Sequence, residues 1–158
     1  MSRLTGNALP KELLERLSGQ RVAVLEGKII PIFTVDGKGW PHPALLSYYE
    51  MVAGNPTTLD LALWKDSSTA KNLRASAKIT IMISDTDLNY YLKGTVQELQ
   101  YEMAGAPQVS RFRVTLEEVL EDQEPNAQIT SGLTYARQSP RGAEDFATKV
   151  LQILREEP

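Results

Sequence analysis

The chain alternates between two hydrophobic periods, and the points where it switches divide it into elements. Leu13, Leu14 and Leu17 share one face of a 3.6-residue repeat that opens after Pro10 and closes at Ser18-Gly19. Proline suits a first helical turn, so the pattern predicts a short amphipathic helix over 10–19, after a loose start at residues 1–8. From there the period falls to two. Arg21–Glu26 and Ile29–Val35 read as strands joined through Gly27, with a turn at Asp36-Gly37-Lys38-Gly39. Pro41 and Pro43 flank His42 and keep that segment extended, at a strand beginning or a sheet edge. Ala44–Glu50 is the next expected strand, Gly54-Asn55-Pro56 a turn, and Leu59–Trp64 an apolar strand.

A short helical pattern, Ala70–Ala75, interrupts the strands. After it, Ile79, Ile81 and Ile83 alternate within Lys78–Ser84 and mark one buried strand face. Asp85-Thr86-Asp87-Leu88-Asn89 has the opening spacing of a calcium loop. Tyr90 stands where the sharp bend needs glycine and Val96 where a bidentate Glu is required, so the segment reads as a hairpin turn. Tyr90–Met103 is a long strand, bulged near Gly94. Phe112, Val114 and Leu116 alternate with Arg111, Arg113 and Thr115 in a half-exposed strand, which Glu117, Glu118, Glu121, Asp122, Glu124 and Pro125 bring to an end. That acidic group reads as a solvated edge that discourages sheet-to-sheet association. Ile129–Tyr135 supplies a last strand. A helix over 140–156 follows, with Ser139 as cap, Pro140 in the first turn, and Phe146, Val150, Leu151 and Leu154 on its buried stripe.

Seven or eight short strands, one internal helix and a helix at each end favour an antiparallel barrel over a βαβ sheet, because only one inter-strand segment can serve as a crossover helix. The fold expected is mainly β, α+β by content, as a single domain over residues 1–158 with its barrel over 20–135.

Composition narrows the chemistry. A chain of 158 residues with 42% hydrophobic and 23% charged residues has enough apolar material for one sizeable core. The net charge of −3 offers no broad attraction to nucleic acid or an anionic membrane. There is no cysteine, so disulfides, thiolate nucleophiles and cysteine-ligated metals are excluded. No signal-peptide core and no apolar run of roughly 20 residues are present, which makes the cytoplasm the expected location. His42 is the one histidine, and HExxH, G-x-S-x-G, P-loop and GxGxxG motifs are absent. Two classes remain: a cofactor enzyme, in which a small molecule supplies the reactivity, or a binding module.

The densest cluster of anion-binding groups is Trp64-Lys65-Asp66-Ser67-Ser68-Thr69-Ala70-Lys71-Asn72-Leu73. Three hydroxyls at a strand-to-helix junction can cap the helix, and its free N–H groups and positive dipole end favour a phosphate. The plainer reading of the same residues is a capped helix and nothing more.

In order and spacing, the Asp-Gly strand pair, Pro41-His42-Pro43-Ala44-Leu45-Leu46-Ser47-Tyr48-Tyr49, Ser67-Ser68-Thr69-Ala70-Lys71-Asn72-Leu73, Ile79-Thr80-Ile81 and Tyr91-Leu92-Lys93-Gly94-Thr95 resemble the pyridoxamine 5′-phosphate oxidase-like, FMN-binding split-barrel family. The resemblance covers residues 10–135. It implies a six-stranded antiparallel Greek-key split barrel with flanking helices, a homodimer, and FMN at the subunit interface. It places the FMN phosphate on Ser67, Ser68 and Thr69, with Lys71 and Asn72 beside them. The flavin ring falls along the strand holding Leu45, Leu46 and Ser47, where Trp64 and Lys65 meet it. Ser68 and Thr69 replace two basic residues of that turn, and Ser47 replaces a phosphate-binding lysine. Arg137 and Arg141 lie near the end of the chain without the histidine that accompanies such an arginine in the vitamin B6 oxidases, so true pyridoxamine phosphate oxidation is not expected. The resulting expectation is an FMN-dependent oxidoreductase acting on a small molecule. The alternatives are a non-catalytic flavin- or heme-binding sensor module and a deazaflavin-dependent reductase on the same barrel.

Overall fold

The computed structural model describes every residue from Met1 to Pro158. Eight strands and three helices run in the order β1 (Ser2–Gly6), α1 (Lys11–Arg16), β2 (Ile29–Val35), β3 (Pro41–Ser47), β4 (Met51–Asn55), β5 (Thr58–Trp64), α2 (Ser68–Ser76), β6 (Lys78–Asp85), β7 (Leu88–Gln100), β8 (Val109–Asp122), α3 (Phe146–Arg155). All the pairings are antiparallel, and the strands form one curled sheet ordered β3-β2-β6-β7-β8-β5-β4, with β1 added on β8. The architecture is that of a split barrel with flanking helices, with eight strands where the resemblance implies six.

The barrel core is built by the alternation read from the chain. Ile79, Ile81 and Ile83 of β6, Ile30 and Ile32 of β2, and Leu59 and Leu61 of β5 all point inward, at no more than 4% exposure. Leu13 of α1, Leu17 at its C-cap and Leu73 of α2 close the same cluster. A second cluster lies on the other side of β4 and β5, where Val150, Leu151 and Leu154 of α3 pack on Tyr49, Val52, Ala62 and Val109. Burying each such aliphatic side chain contributes about 1.5–3 kcal/mol, so these three hold the helix in place.

Several expectations are overturned. Residues 1–8 are not loose: β1 pairs with β8 from Ser2↔Asp122 to Gly6↔Val119. Arg21–Glu26 forms turns, not a strand, because the chain must swing from α1 to β2 and Gly27 takes φ +83°, which ends any extended run. The expected strand Ala44–Glu50 is displaced: β3 starts earlier, at Pro41, and stops at Ser47, residues 48–50 turn, and a separate strand, β4, begins at Met51. The acidic run does not end β8, which continues to Asp122. There Glu118 pairs with Lys93, Glu121 with Arg3, and β1 covers the edge. Ile129–Tyr135 makes no strand; it crosses the barrel as a strap bonded at Asp87 N to Ile129 O, Ile29 N to Leu133 O and Tyr135 N to Gly27 O. The last helix starts at Phe146, with Asp145 as its cap through Thr148 N, in place of Ser139 and Pro140.

The bulge at Gly94 is present as a register shift between Lys93 and Gly94. A Cβ there would meet Val114 Cγ1 at 2.5 Å and Thr115 O at 2.6 Å, so only glycine lets β7 and β8 approach. The 85–89 segment is the expected hairpin turn between β6 and β7, with Asp87 at φ 56°.

Candidate functional site

The split in the barrel lies between the two end strands of the sheet. β3 and β4 are consecutive in the chain, yet they form the opposite ends of the sheet and share no ladder. The Tyr48-Tyr49-Glu50 link joins them, and the Glu50 carboxylate receives Ser47 N–H at 2.7 Å and Ser47 Oγ–H at 2.9 Å.

Prolines decide which backbone groups β3 leaves open. Its register with β2 pairs Pro31 with Leu45, Phe33 with Pro43 and Val35 with Pro41. A proline nitrogen cannot donate, so the pairs that exchange hydrogen bonds are the ones between, Ile30–Leu46, Ile32–Ala44 and Thr34–His42. Leu45 and Ser47 therefore turn their N–H groups away from β2, as the Ser47-to-Glu50 bond shows directly. The open edge presents one free donor, Leu45 N–H, beside a side chain that is 58% exposed. Leu46 differs from expectation: its backbone serves the ladder and its side chain is buried.

The elbow between β5 and α2 is formed as the sequence predicts. Ser67 is the N-cap, and its Oγ accepts Ala70 N–H at 3.1 Å. Lys71 N–H reaches Ser67 O, while the Ser68 and Thr69 amides have no protein acceptor. Ser68 is exposed, Thr69 is buried, and the exposed Lys71 ammonium has no ion-pair partner. Asn72 faces away from the elbow and donates to Thr34 Oγ1 at 3.0 Å, tying α2 to β2. Lys65 lies on the other side, bonded to Glu102 at 2.5 Å and set 5.3 Å from the Tyr101 ring. Arg74 locks this corner by pairing with Glu98 and donating to Lys65 O at 2.7 Å.

Trp64 and Ser47 come together elsewhere, on the wall of a cavity of about 280 Å³ between the sheet and the segment leading into α3. Trp64 stacks on Phe146 with ring centres 5.6 Å apart and planes 18° from parallel. Glu50, Arg137 and Arg141 also line this space. Arg141 is heavily bonded, to Glu26 at 2.8 Å, Asp145 at 2.9 Å and Tyr135 at 3.1 Å, and its guanidinium lies 3.9 Å over the Tyr49 ring. Burial works against its charge, but these bonds raise its pKa above the ordinary arginine value. Burial pushes the Glu50 carboxyl above its ordinary value despite the two bonds from Ser47.

Of the sequence-predicted residues, Ser67, Ser68, Thr69 and Lys71 thus gather at one elbow, Ser47 and Trp64 at a neighbouring cavity, and Leu45 on the open edge between β3 and solvent. Lys65 and Asn72 are engaged in holding the elbow. Glu50 and Glu26 were not singled out from the sequence. Nothing in a one-dimensional pattern separates them from surface carboxylates: the partners of Glu26, Tyr49, Tyr135 and Arg141, lie far along the chain, and Glu50 binds Ser47 only because the chain turns between β3 and β4.

A group that carries a phosphate fits the elbow's donor set: two unpaired amides on a helix N-terminus, the Ser68 hydroxyl and a free ammonium.

No family model matches the chain. It is 28% identical over 149 residues to the uncharacterized protein YclD of Bacillus subtilis strain 168, covering 94% of this chain and 97% of that one. Among solved structures, a candidate pyridoxamine 5′-phosphate oxidase of Lactobacillus delbrueckii superposes with a TM-score of 0.59 at 16% identity, over 75% of this chain and 98% of that one. An FMN-binding protein of Syntrophomonas wolfei superposes at 0.53 with 15% identity, over 72% and 88%. HutZ, the heme storage protein of Vibrio cholerae, superposes at 0.50 with 13% identity, over 71% and 93%. At these identities the likeness establishes architecture, and the chain has the split-barrel fold that these pyridoxamine 5′-phosphate oxidase-like, FMN-binding and heme-storage proteins share.

Proposed function

We propose that this protein is a cytoplasmic FMN-binding oxidoreductase that works as a homodimer and acts on a small molecule. The observation that carries this reading is the elbow, where the Ser68 and Thr69 amides are unpaired at the start of α2 and Lys71 stands free beside them. Those donors suit a phosphate dianion, with the helix dipole adding to the attraction. Leu45 N–H, which the β2 ladder leaves free on the open edge of β3, supports the same reading, since a hydrogen bond from it to a ring edge would stabilise negative charge. Ser68 and Lys71 are exposed on the single chain, which fits a site that a second copy completes. Exposed Leu45, Val35 and Trp40 on and around β3 offer apolar surface for that copy.

Bound FMN supplies the electron-transfer chemistry that the side chains lack. The chain's own residues hold the phosphate and orient the ring against β3. No side chain is required as a nucleophile.

The purified protein should be yellow, with absorbance near ~450 nm from flavin. Ser68→Ala combined with Thr69→Ala should weaken FMN binding, and unchanged affinity in that double variant would remove the phosphate site.

A heme-binding or sensor role on the same barrel is the second reading, favoured by His42. This lone imidazole sits half-exposed on β3 with no hydrogen-bond partner, as an open ligand would. A Soret band lost in His42→Ala would replace the flavin reading with this one. Titration with deazaflavin against FMN tests the reductase variant.

A further inference from the structure

The cavity of about 280 Å³ holds two polar groups, Arg137 and Glu50, whose bonding capacity the fold uses only in part. Arg137 Nε donates to Ser139 O at 3.1 Å, its Nη2 reaches Asp145 only at 3.5 Å, and its Nη1 has no partner. Asp145 is already committed to Arg141 at 2.9 Å and to the α3 cap amide of Thr148 at 3.1 Å. Arg137 is therefore the cation at this rim whose charge is least compensated. Across the cavity, Glu50 accepts both Ser47 bonds on Oε2, and Oε1 has no protein donor. The remaining wall is apolar, formed by Ala62, Val109 and Val150 with the Trp64–Phe146 stack. One under-used guanidinium at the mouth of an aromatic slot selects a flat molecule with an anionic end, since a carboxylate matches the guanidinium fork with two parallel bonds.

We propose that this cavity binds a small planar carboxylate, with its anionic group on Arg137, its ring against Trp64 and Phe146, and a polar substituent toward Glu50. The volume of about 280 Å³ lies just below the ~300–1,000 Å³ usual for ligand pockets, so the occupant is a single substituted ring and not a dinucleotide. The identification of this ligand as the oxidoreductase substrate rests on the flavin reading above, because Ser47 and Trp64 border both sites. The binding site itself does not depend on that reading.

Trp40→Phe leaves Trp64 as the only tryptophan, because the chain has two. Titrating FMN-free Trp40→Phe protein with benzoate, benzamide and benzamidine then reports on this cavity through Trp64 fluorescence. The expected result is saturable quenching by benzoate, at least tenfold weaker binding of benzamide, and no saturation by benzamidine. Arg137→Met should weaken benzoate binding at least tenfold. Arg137→Lys, which keeps the charge and loses the fork, should fall between the two, and it serves as the readout if Arg137→Met does not fold. Absence of saturation by benzoate, equal affinity in both Arg137 variants and the parent, or preference for benzamidine would overturn the proposal. Flavin absorbance of the reconstituted sample is read separately, so failure of the carboxylate site and failure of the FMN site are told apart.

Discussion

Asp60 sits directly opposite Arg113 and diagonal to Arg111 on the β5–β8 ladder, and its carboxylate holds both guanidiniums. Arg111 donates from Nε at 2.8 Å and from Nη2 at 2.6 Å, and Arg113 from Nε at 2.7 Å. Arg111 continues past Asp60 to the carbonyls of Leu154 at 3.1 Å and Glu156 at 2.9 Å, so one buried ion pair fastens the end of α3 to the sheet. Desolvation makes such a pair expensive to form, and removing one partner leaves a buried charge unmatched.

Asp60→Ala should therefore destabilise the protein by about 3–5 kcal/mol in urea unfolding. Arg113→Ala should cost under ~1 kcal/mol, because its side chain is 37% exposed and water replaces the pair. Equal losses in the two variants would show that the diagonal Arg111 contact is not the stronger one.

Asp85 joins α1, the Gly27 turn and the end of β6. Burial alone would raise its pKa, but hydrogen bonds from Lys28, from Arg16 at 2.5 Å and from Thr86 N–H at 2.8 Å lower it to about 2. The folded value lies below the ~3.9 of an unfolded aspartate, so the stability this gives is complete above about pH 4 and is lost as pH falls toward 2. The contribution is about 1–2 kcal/mol. Asp85→Asn should be less stable than the parent at pH 6, and the gap should narrow by that amount at pH 2 in urea melts.

Lys71→Glu places a carboxylate where the proposed phosphate lies. FMN affinity should fall at least tenfold while stability changes by less than ~0.5 kcal/mol, since the side chain is exposed and unpaired. Equilibrium dialysis against FMN with a parallel thermal melt checks both, and a large loss of stability would mean that Lys71 serves the fold.

Gly132 anchors the strap. A Cβ at this position would lie 2.0 Å from Ser84 O, so Gly132→Ala must push the strap off β6. A loss of about 1–3 kcal/mol is expected from overpacking, with faster hydrogen exchange at Ile29 and Tyr135, whose amides bond across the strap. Gly142→Ala, where a Cβ meets nothing within 4 Å, is the matched control.

Features that depend on near neighbours along the chain were legible in the sequence. The Ile79-Ile81-Ile83 face, the Ser67 cap, the bulge at Gly94, the hairpin turn at Asp87 and the proline-blunted edge at Pro41 and Pro43 all follow from side-chain periodicity or from the conformational limits of single residues. The elbow could be read for the same reason, since its hydroxyls, amides and lysine are contiguous. Where local pattern misled, a distant partner was responsible. Arg111 reads as the exposed side of an alternating strand, yet it is buried because Asp60, 51 residues away, and the end of α3 satisfy it. Asp60 within the apolar run Leu59–Trp64 was the visible trace of that partner. Ile129–Tyr135 has strand-like composition but finds no free ladder, and it becomes a strap.

Local propensity and hydrophobic period therefore determined most of the segments that extend, coil or turn, and they placed the hydroxyl-rich elbow between β5 and α2. Tertiary structure alone decided which charges are buried together, that Glu50 closes on Ser47 at the split, and that Arg137 and Trp64 share a cavity. Apart from the local Ser47–Glu50 closure, these are contacts between residues far apart in the chain, and their energy comes from desolvation and partner geometry that no short window of sequence contains.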